Sequence, residues 1–399
     1  MKPSRPRSIS PSRRTFLKQA LTVIGGVVLG NRVAFAAEHA TDARVLIGAS
    51  LPLSGPGFFA EDGLRQLLAY RMWQEQLNAD GGLLGRPVEL VVYDDANDAG
   101  EAVAAYARLI HDDGAELLLG NYGSGMARVT IPVVEQGGIP CVFPMAWQPI
   151  LWSQGHRWAA PLLPIATTVA HPLLEYHRAQ GAERIAVIWA ANDYARDLAN
   201  GLREGAAPRG LEVAFVREYD GDEELATALG EAATTDADVL MGGNVGETIP
   251  HVVEVMRNAE VAFPSYGWFE IDEPALLEHR DELEGMTGFG LWLPTMPFAG
   301  NRRFVHDFTH RWESEYPDEP IGLLLDHHSS AGYAAAQLTR RAVETAGTLE
   351  PEEVRDALFA MDTSTVFGPY RLDERGMQVG KEVPVVRYRH GLREVVDQR

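Results

Sequence analysis

From residue 44 onward, short apolar runs of strand length alternate with longer amphipathic stretches, and glycine- or proline-bearing turns separate them. Residues 44–51 read as a first strand, stopped by Leu51-Pro52-Leu53-Ser54-Gly55-Pro56-Gly57. A helix then begins near Glu61, with Leu64, Leu67, Leu68 and Met72 recurring at the spacing of a core-facing stripe. A second strand is expected over 88–93, and a helix over about 100–111 with Asp98 as its cap. The third strand, 116–119, breaks at Gly120-Asn121-Tyr122-Gly123-Ser124-Gly125 into a helix from Met126, and the fourth, 141–143, runs into Pro144-Met145-Ala146-Trp147. Because βαβ crossovers are right-handed, this order predicts one parallel sheet with helices on both faces.

Prolines 161 and 164 interrupt the pattern, and a second α/β series follows. It has strands over 184–189, 211–216, 239–242, 265–269 and 287–293, with helices from Thr167, Tyr194, Glu223, about Glu247 and Pro274. Helices near 302–316, 326–345 and 351–361 and strands over 370–372 and 383–388 complete the chain. The fold class is therefore α/β, with two doubly wound parallel-sheet, Rossmann-like domains. In a parallel sheet the loops 120–125 and 144–147 emerge side by side at the carboxyl edge, where open α/β sheets bind ligands. The first helical turn leaves the N–H groups of Ser124, Gly125 and Met126 free for a carboxylate or carbonyl, together with the Ser124 hydroxyl. Read by itself, the loop is equally well an ordinary strand-to-helix turn.

Four segments taken together resemble the amino-acid and amide-binding periplasmic receptors of ABC transporters, the leucine/isoleucine/valine-binding type. They are LPLSGPG (51–57), NADGGLLGRPVELVVYDDAND (78–98), LLGNYGSG (118–125) and WAANDYARDL (189–198). Each is weak singly, their combination is specific, and the resemblance runs from about Arg44 to the C-terminus. It implies a type I periplasmic binding protein with a three-crossover hinge, lobes of 43–162 plus 293–366 and of 163–292 plus 367–399, and a ligand held in the cleft between them. Ser124 matches the serine that holds the ligand carboxylate, Ala146 lies in the loop that adds a backbone donor, and Tyr194 matches the tyrosine of the D-x-x-Y-G turn, here Asn192-Asp193-Tyr194-Ala195. Trp147 replaces the usual threonine, Ala60 stands where an aromatic is expected with Phe58 and Phe59 displaced, and Tyr122-x-Ser124 is similar to the amide-binding branch. The acid that pairs an α-ammonium falls at Phe269-Glu270, where one position of register decides whether a carboxylate enters the pocket. Asn244, just past the strand 239–242, joins the expected contacts.

Aromatic residues recur at predicted strand ends: Phe59, Tyr122, Trp147, Trp189 with Tyr194, Trp268 with Phe269, and Trp292. Most such rings are core, yet this placement also suits a cleft for a flat or branched apolar ligand.

Composition narrows the alternatives. The 399 residues, 46% apolar and 23% charged, describe a globular chain of two domains. Ser12-Arg13-Arg14-Thr15-Phe16-Leu17-Lys18, an apolar run over 20–30 and Ala34-Phe35-Ala36 make residues 1–36 a twin-arginine signal peptide, cleaved before Ala37 into the periplasm. Those residues hold seven basic side chains (Lys2, Arg5, Arg7, Arg13, Arg14, Lys18 and Arg32) and no acidic one, so the net charge of −21 becomes −28 without them. Such a surface disfavours nucleic acid and anionic lipid and fits an acidic periplasmic or salt-adapted protein. Cys141 is the only cysteine, which excludes an internal disulfide, and its apolar surroundings favour an inert thiol.

Catalytic motifs are missing. There is no G-x-S-x-G elbow, no H-E-x-x-H helix, and no G-x-G-x-x-G spacing in Gly55-Pro56-Gly57. Asp94-Asp95 reads as a polar strand end, and His327-His328 beside Asp326 as a capping or packing feature before a metal site, since adjacent helix positions diverge. The expectation is a non-enzymatic, monomeric solute receptor without cofactor or metal. Its partners are a small amino acid, amide or aromatic acid and a membrane permease; a ligand sensor of the amide-binding type or an exported enzyme is the alternative. Changing Arg13 and Arg14 to lysine should leave uncleaved precursor in the cytoplasm on cell fractionation, while N-terminal sequencing of the exported protein should begin at Ala37.

Overall fold

The computed structural model describes residues 44–55, 59–315 and 325–396, together with the backbone of 27–29 and 32–35. The chain forms two compact units and passes between them three times: unit 1 ends its first pass at Leu163 and takes Pro297–Lys381, and unit 2 takes Pro164–Met296 and the residues from Glu382.

In unit 1 the strands are β1 (Val27–Leu29), β2 (Arg32–Phe35), β3 (Val45–Leu51), β4 (Val88–Asp94), β5 (Leu117–Leu119), β6 (Cys141–Phe143) and β7 (Ala159–Pro161). Their order is β1-β2-β4-β3-β5-β6-β7, parallel from β4 to β7. Ile47 of β3 pairs with Leu90 on one side and Leu117 on the other, and all three are fully buried, as expected for a sheet covered on both faces. The helix Ala99–His111 lies so close to β3 that a Cβ on Gly48 would meet Leu109 Cδ2 at 2.8 Å.

In unit 2, β8 (Arg184–Ala190), β9 (Glu212–Tyr219), β10 (Val239–Gly243), β11 (Ser265–Trp268) and β12 (Thr287–Phe289) run parallel. The chain returns to unit 1 for the hairpin β13 (Asp362–Thr365) and β14 (Gly368–Arg371), then adds β15 (Val385–Arg389) and β16 (Leu392–Val395) antiparallel at the β12 side of unit 2. The order is β16-β15-β12-β11-β10-β8-β9. In each unit the first parallel strand sits between the second and the third, so the winding reverses beside it and opens a crevice at its carboxyl end.

Several expectations change. Unit 1 has a fifth parallel strand, β7, whose Ala159-Ala160-Pro161 lacks strand formers and ends in a proline that reads as a break. The backbone of 32–35, assigned above to the leader, pairs antiparallel with β4; the twin-arginine motif and Ala37 lie outside the described residues. Pro274–His279 is a 3-10 turn, and β12 stops at Phe289, with the Trp292 N–H donating to Asp272 Oδ2 at 3.0 Å. Residues 367–381, expected in the second lobe, stay with unit 1. Lys381, almost fully buried, donates to the Phe367 carbonyl at 2.5 Å with its ammonium 3.8 Å from the Phe367 ring centroid, and Gln378 Nε2 donates to the carbonyls of Leu162 and Pro369.

Asp94 and Asp95 close β4 as structural acids. Asp94 Oδ1 accepts the N–H groups of Leu53, Ser54 and Ala96, and buried Asp95 accepts Ser50 Oγ at 2.8 Å and Asn97 N at 3.0 Å. Burial, offset in part by these bonds, raises Asp95 from 3.8 to about 6. A raised folded value means that the contribution to stability is full below the unfolded value and is lost as pH rises through about 6. Asp95→Asn should therefore gain on the wild type by on the order of 2–3 kcal/mol between acid and neutral pH, read as diverging urea midpoints.

Candidate functional site

In unit 1 the reversal lies between the carboxyl ends of β3 and β5. Gly120 has no room for a side chain, because a Cβ would lie 2.5 Å from the Val142 carbonyl of the adjacent strand. Gly123, at φ 81°, then turns the chain into the helix Ser124–Gly137. Ser124 Oγ accepts the Trp147 N–H at 3.1 Å and the Gln148 N–H at 3.4 Å, which ties the two expected loops together and occupies both lone pairs. Its own proton is what the hydroxyl has to offer a ligand. Gly125 is exposed at the same helix start. Ala146 and Trp147 are buried, and the Ala146 carbonyl accepts Trp152 Nε1 at 2.8 Å. Phe59, which opens the helix Phe59–Ala79, meets Tyr122 edge to face at 6.1 Å.

A polar layer lies beneath Tyr122. Its ring centroid is 5.4 Å from that of His328, and its hydroxyl is 3.5 Å from His328 Nε2. His328 Nδ1 lies 2.8 Å from Asp326 Oδ2. Arg65 reaches Asp62 at 2.5 Å and Asp326 at 3.1 Å, and all four of these charged or ionisable residues are buried. Asp326 caps the helix His327–Ala346, accepting from His328 N and Ser329 N in a capping box closed by Ser329. Burial would raise the Asp326 carboxyl, but Arg65 and then the His328 charge and hydrogen bond hold it well below the usual range. Burial would lower His328, yet Asp62 and Asp326 together outweigh that and the repulsion of His327 and leave it raised.

In unit 2, Tyr194 lies in the first turn of the helix Asp193–Ala206, whose cap, Asn192, accepts Ala195 N and donates to Asn244 Oδ1 at 3.0 Å. Phe269 is fully buried with its ring 5.8 Å from Phe289, so it belongs to the core of this unit. Glu270, the next residue, takes a left-handed φ of 46°, which costs a non-glycine residue on the order of 1 kcal/mol or more. Trp292 is buried beside Asp272. Not every strand-end ring is a binding surface: Trp268 stacks on Tyr266 and donates to Met286 Sδ, and Trp189 donates to Glu218 at 2.8 Å under Arg203.

The periplasmic binding protein family matches residues 44–392. The chain belongs to this family. This periplasmic binding protein is 24% identical over 354 residues to a leucine-, isoleucine-, valine-, threonine- and alanine-binding protein of Pseudomonas aeruginosa, covering 86% of this chain and 89% of the relative. Among solved structures it resembles an ABC transporter substrate-binding protein of Desulfitobacterium hafniense in complex with Leu (TM-score 0.73, 20% identity, 88% of this chain and 100% of that one). It also resembles a solute-binding protein of R. palustris in complex with benzoate (TM-score 0.70, 19% identity, 88% and 95%). These likenesses establish the two-domain α/β fold.

Sequence reasoning missed Asp62, Arg65 and the role of Asp326 in this periplasmic binding protein. The available signal was the spacing of Asp62, Arg65 and Gln66 on one helical face, which a solvated surface explains equally well. Arg65→Met leaves two buried carboxylates without their guanidinium. It should cost about 3–5 kcal/mol in urea unfolding and move the acid transition to higher pH, because a depressed carboxyl contributes stability above its unfolded value and loses it as pH falls.

Proposed function

We propose that this chain is an extracytoplasmic receptor that captures a hydrophobic or aromatic amino acid and delivers it to an ABC transporter permease, acting as a monomer in the periplasm after twin-arginine export. In this reading the Ser124 proton and the N–H groups at the start of its helix serve the ligand carboxylate, Glu270 serves the α-ammonium, and Phe59 and Tyr122 offer flat apolar surface. Gly125, Ala146, Trp147, Tyr194, Asn244 and Trp292 complete the contacts. Binding requires no catalytic group.

The observation that carries the choice of ligand is the register at Phe269-Glu270. The Phe269 ring packs against Phe289, and in this reading the neighbouring Glu270 serves the ligand, because an ammonium needs such a carboxylate to offset its desolvation. The relative that binds leucine and its neighbours supports the same class, and the solved structure with Leu is in keeping with it. The structure with benzoate keeps an aromatic acid or amide as the second reading, which Tyr122-x-Ser124 also favours.

A thermal-shift panel of leucine, phenylalanine, small amides, urea and benzoate separates the two, since native-state binding raises the melting temperature. Stabilisation by leucine or phenylalanine is expected; a response to benzoate or amides alone would remove Glu270 from the reading. Ser124→Ala should weaken the responding ligand by about 1–3 kcal/mol in calorimetry without loss of fold.

A further inference from the structure

Within unit 1, Asp326, His328 and Tyr122 form a row: Asp326 Oδ2 is 2.8 Å from His328 Nδ1, and His328 Nε2 is 3.5 Å from the Tyr122 hydroxyl. An ionised carboxylate only accepts, so Nδ1 carries a proton in both charge states of the ring, and titration concerns Nε2 alone. A neutral ring presents a lone pair at Nε2, which takes the phenolic proton; Tyr122 can then only accept from a ligand. A protonated ring donates from Nε2 to the phenolic oxygen, and the single phenolic proton turns outward. From this geometry we infer that His328 is a specificity-determining residue, whose Nε2 proton sets whether Tyr122 donates to a ligand's carboxylate or only accepts from a ligand's N–H. The inference rests on the reading of Tyr122 as a ligand contact.

The charged groups facing His328 within unit 1 are few. Asp62 Oδ1 stands 3.9 Å from Nδ1 on the helix Phe59–Ala79, beside Arg65, which bonds both carboxylates. Asp326 and His327 lie on its own helix, the two histidine rings with centroids 4.0 Å apart. Burial and His327 lower the ring, the carboxylates raise it, and the balance is upward. The donating state of Tyr122 is accordingly favoured toward acid pH and is lost as pH rises through the raised value.

The test uses the full chain labelled with nitrogen-15 histidine, with His328→Gln to identify the His328 signals. Long-range proton–nitrogen correlation through a pH titration should show Nδ1 protonated throughout, Nε2 protonated at the acid end and bare at the alkaline end, and an Nε2 resonance displaced in Tyr122→Phe. A proton kept on Nε2 with Nδ1 bare, or an Nε2 resonance indifferent to Tyr122→Phe, would overturn the inference whether or not any ligand binds. A second arm measures benzoate against benzamide. The preference for the acid should fall roughly tenfold between those two ends of the titration in the wild type and not in Tyr122→Phe, where the charge of His328 remains but the relay is gone. Equal pH dependence in the two proteins would reduce His328 to a charge and remove the specificity role. Loss of all ligand response, with the resonances as expected, would instead count against the receptor reading.

Discussion

Arg65 lies between two buried carboxylates from segments far apart in the sequence, and the carboxyl edge of unit 1 depends on that arrangement. Asp62 is its neighbour on the helix Phe59–Ala79, while Asp326 is the cap of the helix His327–Ala346. The guanidinium sets a cation against both acids, and the Asp326 carboxylate in turn orients His328. A hydrophobic replacement could pack as well, but it would not fix the register of the two helices or the face that His328 turns to Tyr122. The layer is better understood as a device for geometry than as a store of stability.

The two units build the same kind of edge by different local means. In unit 1 a serine hydroxyl gathers two backbone N–H groups from the neighbouring loop. In unit 2 the cap of the helix Asp193–Ala206 is an amide, with Asn192 holding its own helix start and the side chain of Asn244 together. The hydroxyl has one proton to give, and the single bond between Asn192 and Asn244 uses one N–H of the first and the Oδ1 of the second.

The alternation of apolar runs and turns made most parallel strands legible, because strands covered on both faces leave continuous hydrophobic stretches. β7 and the 3-10 helix Pro274–His279 were not, since Ala159-Ala160-Pro161 is poor in strand formers and ends in a proline that reads as a break, and no local pattern separates a 3-10 from an α-helical start at Pro274. Side-chain direction at strand ends was harder still. Trp268 and Phe269 end the same strand reading, and only the pairing of β11 with β12 puts the Phe269 ring against Phe289. Asp62 and Arg65 looked like surface residues because their partner lies far along the chain, and no local pattern announces a long-range ion pair. His327-His328 opens a helix that Asp326 caps, and the link from His328 to Tyr122 is a property of the fold alone.

Lys381 is the only lysine after Lys18, and its amine lies against the Phe367 ring with its proton on a backbone carbonyl. A chain lacking residues 1–36 would thus carry its positive surface charge on arginine and offer amine-directed reagents a single accessible target, the α-amino group. Acylating dyes or an activated solid support would attach every molecule through the same end. Such a preparation would be oriented without any engineered tag, and lysine-selective cross-linkers would be blind to whatever partner it meets.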